Sequence, residues 1–151
     1  MEYSKKRHKE LVIRAQYFKN QGKTIFRESP KEYSELAKYN IAVEEQVFLT
    51  HREDFFPLMK NFIDNSINFD EFETAFSLLF RKTSKEVDML IIDLKHIEKF
   101  QPSTRPYRFA SFISSIFRQF EEVEDECCTQ QEVKNYVKKV YFKFQNCLNE
   151  G

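Results

Sequence analysis

Glycine is scarce in this sequence: it occurs only twice among 151 residues, and one of the two is the last residue. Catalytic domains usually need several glycines for tight turns and for close approach of the backbone to substrates. The sequence also has no Gly-rich phosphate-binding loop and no Ser-His-Asp or Cys-His spacing typical of nucleophilic catalysis. We therefore expect a protein that is not an enzyme, with no catalytic residues and no cofactor.

Cysteine and long apolar runs are also scarce. Cys127 and Cys128 are adjacent, which strains a disulfide between them, and Cys147 is the third cysteine. No C-x-x-C spacing exists, so we expect no metal site and a reducing compartment, the cytoplasm or an organellar stroma or matrix. No apolar run approaches the ~20 residues that a membrane span needs, and no apolar signal region follows the start. We expect no membrane span.

Helix signals are abundant instead. Four segments match the Ser/Thr-x-x-Glu capping box that opens helices: Ser29 to Glu32, Thr50 to Glu53, Thr83 to Glu86, and Thr129 to Glu132. Five apolar stripes with helical spacing begin at Phe55, Phe69, Val87, Phe109 and Val133. These patterns predict an all-α protein, a compact helical bundle with a four- to five-helix core and an N-terminal helical extension.

Two helix boundaries follow from local chemistry. The stripe that begins at Phe55 has two candidate N-caps, Thr50 and Asp54. We prefer Asp54, because it places Pro57 in the first helical turn, where its missing N–H costs nothing. Residues 50–53 are then a short connector. Asn68 is predicted to cap the next helix, and the third and fourth stripes are separated by a predicted loop over residues 101–107, which contains Pro102 and Pro106.

The predicted domains are a basic N-terminal helical extension, residues 1–50, and a helical bundle domain, residues 51–151. In the extension, helices are expected over residues 3–20, ended by Gly22, and over residues 30–48. Residues 1–31 carry nine Lys or Arg against three Glu, yet the net charge of the chain is zero. A nucleic-acid partner is therefore judged unlikely, and the basic run over residues 5–9 is interpreted as a solubilising terminus.

Five carboxylates occur within six residues: Glu121, Glu122, Glu124, Asp125 and Glu126. At the end of a helix they oppose the helix dipole and repel one another. A solvated helix end explains such a run, but a basic partner that neutralises it would also be attracted to it over a distance. The glycine turn of a calcium loop is missing. We expect these five to be partner-binding residues for a basic protein.

One segment resembles a known family. The run Phe62-Ile63-Asp64-Asn65-Ser66-Ile67-Asn68-Phe69-Asp70-Glu71-Phe72-Glu73-Thr74-Ala75-Phe76 is similar to the colicin D immunity proteins, which include immunity proteins of contact-dependent growth inhibition. The resemblance covers residues 54–148 in pattern. It implies a small helical bundle that inhibits a cognate tRNase toxin by presenting acidic residues to the toxin's basic active site. A structural or assembly subunit of an organellar or bacterial complex, binding through the basic N-terminal region, is the alternative, and an RNA-binding module ranks third.

Overall fold

A computed structural model describes residues 3–92 and 108–149, with side chains through residue 146. Every regular element in these residues is a helix: α1 (Lys5–Asn20), α2 (Ile25–Glu28), α3 (Pro30–Thr50), α4 (Arg52–Ile63), α5 (Phe69–Ile92), α6 (Phe109–Glu124) and α7 (Gln130–Asn149). The predicted all-α class and helical bundle are confirmed. The predicted loop over residues 101–107 lies outside the described residues, and the short helix α2 was not predicted.

Two helix starts follow the predicted capping chemistry. The Thr129 hydroxyl accepts a hydrogen bond from the backbone N–H of Glu132 at 3.1 Å, and the Glu132 carboxylate accepts one from the Thr129 N–H at 3.3 Å. Asn68 and Glu71 form the same reciprocal pair at 2.8 and 3.2 Å, at the start of α5. Each pair satisfies two backbone donors that a helix start leaves free. The starts of α5 and α7 are therefore fixed by local sequence.

Two other matches to the capping box do not open helices. Thr83 lies inside α5, where its hydroxyl donates to the carbonyl oxygen of Leu79 at 2.8 Å. The second and third apolar stripes therefore begin on one continuous helix. Thr50 is the last residue of α3 rather than a cap of the next helix. A Ser or Thr hydroxyl inside a helix readily bonds the carbonyl four residues earlier, so the box motif alone does not mark a helix start.

The predicted start of α4 at Asp54 is also wrong. The helix begins at Arg52 and only His51 separates it from α3. His51 occupies the N-cap position, and its Nδ1 contacts the Asp54 carboxylate of the helix at 3.1 Å instead of capping a backbone N–H. Pro57 therefore lies beyond the first turn, where it has no N–H for the carbonyl of Glu53.

Aromatic packing accounts for this early start. Phe48 near the end of α3 and Phe55 in α4 are fully buried, and their rings stack with centroids 5.8 Å apart. Burying an aromatic side chain stabilises the fold by roughly 1.5–3 kcal/mol, and two such rings meet here. The tertiary contact therefore fixes the α3–α4 junction in spite of the proline.

The described chain divides into two units by its internal contacts. Unit 1 contains residues 3–46 and 86–92, and unit 2 contains residues 47–85 and 108–149. The residues of each unit contact mainly other residues of the same unit. The predicted division into an extension over residues 1–50 and a bundle domain over residues 51–151 stays a prediction.

Unit 2 is packed around phenylalanine. Seven of its phenylalanines are fully buried: Phe48, Phe55, Phe62, Phe72, Phe76, Phe109 and Phe144. The Phe62 and Phe72 rings stack with centroids 4.3 Å apart, and Phe120 meets Phe72 edge-on at 5.8 Å. Such ring pairs add about 0.5–1.5 kcal/mol beyond the area they bury. This network fixes the ends of α5, α6 and α7 that carry the acidic residues.

Unit 1 has a smaller core. Leu11 of α1 packs with Leu36 and Tyr39 of α3, and Tyr3 and Val12 pack against this cluster from the side of α1. Many of its other apolar side chains are exposed. Hydrogen bonds and ion pairs between side chains supply much of the contact between α1 and α3.

Candidate interaction surfaces

The predicted acidic residues lie in the last turn of α6 and at the start of its connection to α7. Helix α6 ends at Glu124, and Glu126 adopts a left-handed backbone conformation with φ of 60°. The Cys127 N–H donates to the carbonyl of Glu122 at 2.8 Å, and the Glu126 N–H donates to the carbonyl of Val123 at 3.1 Å. These two bonds form a Schellman motif, which usually has glycine at the left-handed position. The turn is therefore a fixed structure, and a glutamate occupies its strained position.

All five predicted carboxylates are exposed to solvent. They are Glu121, Glu122, Glu124, Asp125 and Glu126, which we call the acidic surface. None of them forms an ion pair within residues 3–92 and 108–149. The last turn of α6 contains no Lys or Arg, so nothing on that turn offsets the unfavourable interaction of these charges with the helix dipole.

Helix α5 brings one more carboxylate, that of Glu73, close to the acidic surface. Burial raises the pKa of Glu73, and the negative charges of Asp70 and Glu124 raise it further. Glu73 is therefore close enough to Glu124 for their charges to interact. The sequence alone explains Asp70 and Glu73 as acids suited to the first turn of a helix, and it does not connect them with the acidic run about 50 residues further along the chain. Only the packing of α5 against α6 brings them together.

The two adjacent cysteines border the acidic surface as free thiols. Thiols next to carboxylates are expected to be weakly reactive, and the sequence predicts that both are partly buried. This is right for Cys128, which is half-buried, and wrong for Cys127, which is exposed. Burial raises the pKa of the Cys128 thiol, and the charges of Glu132 and Glu122 raise it further, which keeps the thiol protonated.

A groove of about 390 Å³ lies between α4 and α7. Its lining includes Arg52, Glu53, Lys60, Tyr141 and Gln145, with no histidine, cysteine or serine. The lining carries side chains of both charge signs. In the part of the chain that the structure describes, no group of three or more His, Cys, Asp or Glu side chains is placed to hold a metal ion.

His8 is the residue whose position sequence reasoning missed. Its place in the basic run over residues 5–9 predicts a solvated side chain, but the side chain is fully buried. Its Nε2–H donates to Asn40 Oδ1 at 2.8 Å and its Nδ1 accepts from the Tyr3 hydroxyl at 2.8 Å, in the tautomer that the amide oxygen requires. The ring stacks on Tyr39 at 5.6 Å. One signal was available: His8 precedes Leu11 by three residues and so shares the buried face of α1.

The surroundings of His8 change the acidity of two groups. Burial lowers the pKa of His8, against a smaller opposite effect of the hydrogen bond to Asn40. Burial and the nearby Tyr39 raise the pKa of Tyr3 to about 12. Both groups are therefore neutral at pH 7, as an uncharged hydrogen-bonded cluster between α1 and α3 requires.

Two arginines of the basic N-terminal region are engaged within unit 1. Arg7 makes a two-bond contact with the Glu35 carboxylate at 2.7 and 2.9 Å and also contacts Glu10 at 3.3 Å. These contacts lower the pKa of Glu35. Arg14 reaches Glu32 with two bonds of 3.4 Å. Part of the basic charge of residues 1–31 thus joins α1 to α3, although both arginine side chains stay partly exposed, Arg7 at 38% and Arg14 at 46%.

No protein-family model, no curated protein and no solved structure matches the chain. None of the helices in the described residues is both long and apolar enough to cross a membrane.

Proposed function

We propose that this protein is a non-enzymatic, protein-binding bundle of the immunity type, which acts in the cytoplasm and blocks the basic active site of a tRNase toxin with its acidic surface. The observation that carries the proposal is the exposure of five carboxylates on one turn, with no ion pair in the described residues. The resemblance of residues 54–148 to colicin D immunity proteins supports the same role.

The chemistry of such a target supports the choice of partner. A nuclease active site that binds the phosphates of tRNA concentrates Lys and Arg side chains, and an array of carboxylates is complementary to it. The backbone of the acidic surface is held by hydrogen bonds of the α6–α7 turn, so little backbone freedom is lost on binding. Its unfavourable interaction with the α6 dipole would be offset by a cationic partner.

Replacement of the five acids by their isosteric amides tests the proposal. Wild type and the variant E121Q/E122Q/E124Q/D125N/E126Q serve as baits for proteins of the native host, and captured partners are tested for cleavage of tRNA. We expect wild type to retain a basic partner that cleaves tRNA and to inhibit it. Loss of a single hydrogen-bonded interfacial charge typically costs 2–5 kcal/mol, about 30-fold or more in affinity, so the variant should release the partner.

A charge-matched pair separates site from net charge. The double variant E124Q/E126Q removes two acids of the surface, and E28Q/D88N removes two exposed acids elsewhere. Only the first should weaken capture and inhibition. Equal retention by both, or a captured partner without tRNase activity, contradicts the proposal.

The alternative of an assembly subunit that binds through the basic N-terminal region has less support. Arg7 and Arg14 are engaged with Glu35 and Glu32 within unit 1. Lys6 is exposed at the start of α1, and four more exposed basic residues lie farther along, where α1 connects to α3.

A further inference from the structure

The connection between α1 and α3, residues 17–33, carries a cluster of exposed positive charge, and we call it the hairpin tip. Its four cations are exposed: Lys19, Lys23, Arg27 and Lys31. None of them forms an ion pair with the residues that the structure describes. Arg7 and Arg14 of the same basic region are paired. Lys6 is exposed at the other end of α1, and the four cations at the hairpin tip are the larger group of exposed positive charge in residues 1–31.

Exposed aromatic rings lie among these cations. Tyr17 is 51% exposed, Phe26 59% and Tyr33 42%. Phe26 and Tyr33 meet edge to face with centroids 5.0 Å apart, which leaves at least one face of each ring uncovered by the other. Rings of this size are normally buried, so their exposure on one short segment indicates a surface that another molecule covers.

Local structure holds these rings in place. Ile25 is buried beside Phe26, and the Thr24 hydroxyl accepts a hydrogen bond from the Arg27 N–H at 3.3 Å. The short helix α2 is thereby anchored, with Phe26 and Arg27 directed away from its buried side. The rings are therefore held at the surface in the free protein.

We propose that the hairpin tip binds single-stranded nucleic acid, with bases stacked on Phe26 and Tyr33 and phosphates beside Lys23 and Arg27. Cations interleaved with open rings are the arrangement that single-strand-binding surfaces use. A duplex covers its base faces and offers only phosphates, so it would leave the rings unused. This surface is distinct from the acidic surface and has the opposite charge.

Fluorescence anisotropy with a labelled single-stranded RNA of about 12 nucleotides, within the range of small single-strand sites, tests the stacking. We expect F26A and Y33A each to weaken binding about five- to a hundredfold, the range for loss of one stacked base. F142A removes a ring that is 48% exposed in unit 2 and should leave affinity unchanged.

Salt dependence tests the phosphate contacts. The slope of log affinity against log salt should fall in magnitude by about 1.4 in K23Q/R27Q, which removes two phosphate contacts at about 0.7 each. The matched control K138Q/K139Q removes two exposed lysines of α7 and should not change the slope.

Several results would overturn the proposal: no binding of the single strand, equal affinity for a duplex of the same length, or equal losses in the control variants. Binding to vesicles that contain phosphatidylserine, without binding to RNA, would assign the surface to a membrane and also overturn it. The variant lacking the five acids should bind RNA at least as well as wild type. Failure of toxin inhibition and failure of RNA binding are therefore distinguishable.

Discussion

Units 1 and 2 are both helical, but they hold their helices together with different chemistry. Unit 2 relies on contacts between buried phenylalanine rings, such as the stacked pair Phe62 and Phe72. Unit 1 joins α1 to α3 through a buried histidine with two hydrogen bonds and through two arginine–glutamate ion pairs. Its apolar cluster of Leu11, Leu36 and Tyr39 is small by comparison.

The difference teaches which part of the molecule responds to its surroundings. Stabilisation by apolar burial depends little on pH or salt. Ion pairs weaken as the salt concentration rises, and the contribution of a buried neutral imidazole is lost in acid. We expect the position of α1, and with it the hairpin tip, to depend on solution conditions. The acidic surface in unit 2 should be insensitive to the same changes.

The largest expected effect comes from the unit 2 core. Phe72 is fully buried and its ring meets those of Phe62, Phe76 and Phe120. Replacement by alanine leaves a cavity and should lower the free energy of unfolding by about 3–5 kcal/mol in urea titrations. The exposed Phe142, replaced in the same way, should change it by less than about 0.5 kcal/mol. Similar losses in both variants would show that the ring network does not carry unit 2.

Loss of the histidine should have an intermediate effect confined to unit 1. In H8L the Tyr3 hydroxyl and the Asn40 amide oxygen lose their partner, which costs about 1–3 kcal/mol for a buried polar group. Hydrogen exchange of the α1 amides should speed up accordingly, while exchange in α6 and α7 stays unchanged. An equal increase in hydrogen-exchange rates in both units would show that His8 does not act on unit 1 alone.

The pH dependence of the same measurement has a defined sign. Because the folded state lowers the pKa of His8, its contribution is fully present above the ordinary value of 6.5 and is lost as pH falls below it. Protection of α1, corrected for intrinsic exchange, should therefore decrease from pH 7.5 to pH 5 in wild type. Burial and the charges of Glu45 and Asp88 raise the pKa of Glu44, which acts in the opposite direction. The variant H8L retains Glu44, so the pH dependence of its α1 protection should show only the effect of this carboxylate.

The smallest effect concerns the helix ends. Gly22, Asn65 and Glu126 occupy the same left-handed position after α1, α4 and α6, with φ of 70°, 62° and 60°. A side chain with a Cβ is strained there, by about 1 kcal/mol for a residue such as glutamate. E126G should raise the thermal midpoint, and N65G should raise it less, because asparagine tolerates this conformation better. No gain in E126G would mean that the α6–α7 turn is not strained.

Much of the helical architecture was predictable because its signals are local. The Thr129 and Asn68 starts depend on side chains three residues apart, and the left-handed Gly22 ends α1 as expected. The start of α4 was not predictable from these rules, because ring packing between Phe48 and Phe55 outweighs the preference of Pro57 for a first turn. Local chemistry fixes an end only where no tertiary contact competes.

The candidate surfaces were predictable in part. The acidic run is contiguous in sequence, so it remains together in the structure whatever the packing. The burial of His8 is difficult to predict, because a histidine among lysines is expected on a solvated surface. Its apolar surroundings form only when α1 packs against α3. The hairpin tip depends on Phe26 reaching Tyr33 across the α2–α3 connection, a contact that periodicity does not report.

The discontinuity of unit 1 has a consequence for biosynthesis. Residues 3–46 belong with residues 86–92, so about 40 residues must be translated between them. At roughly 5–20 residues per second this takes about 2–8 s. During that interval Leu36 of α3 lacks Ile91 and Ile92, which line the same cavity in the finished protein. Unit 1 therefore cannot complete its packing until residues 86–92 have been translated.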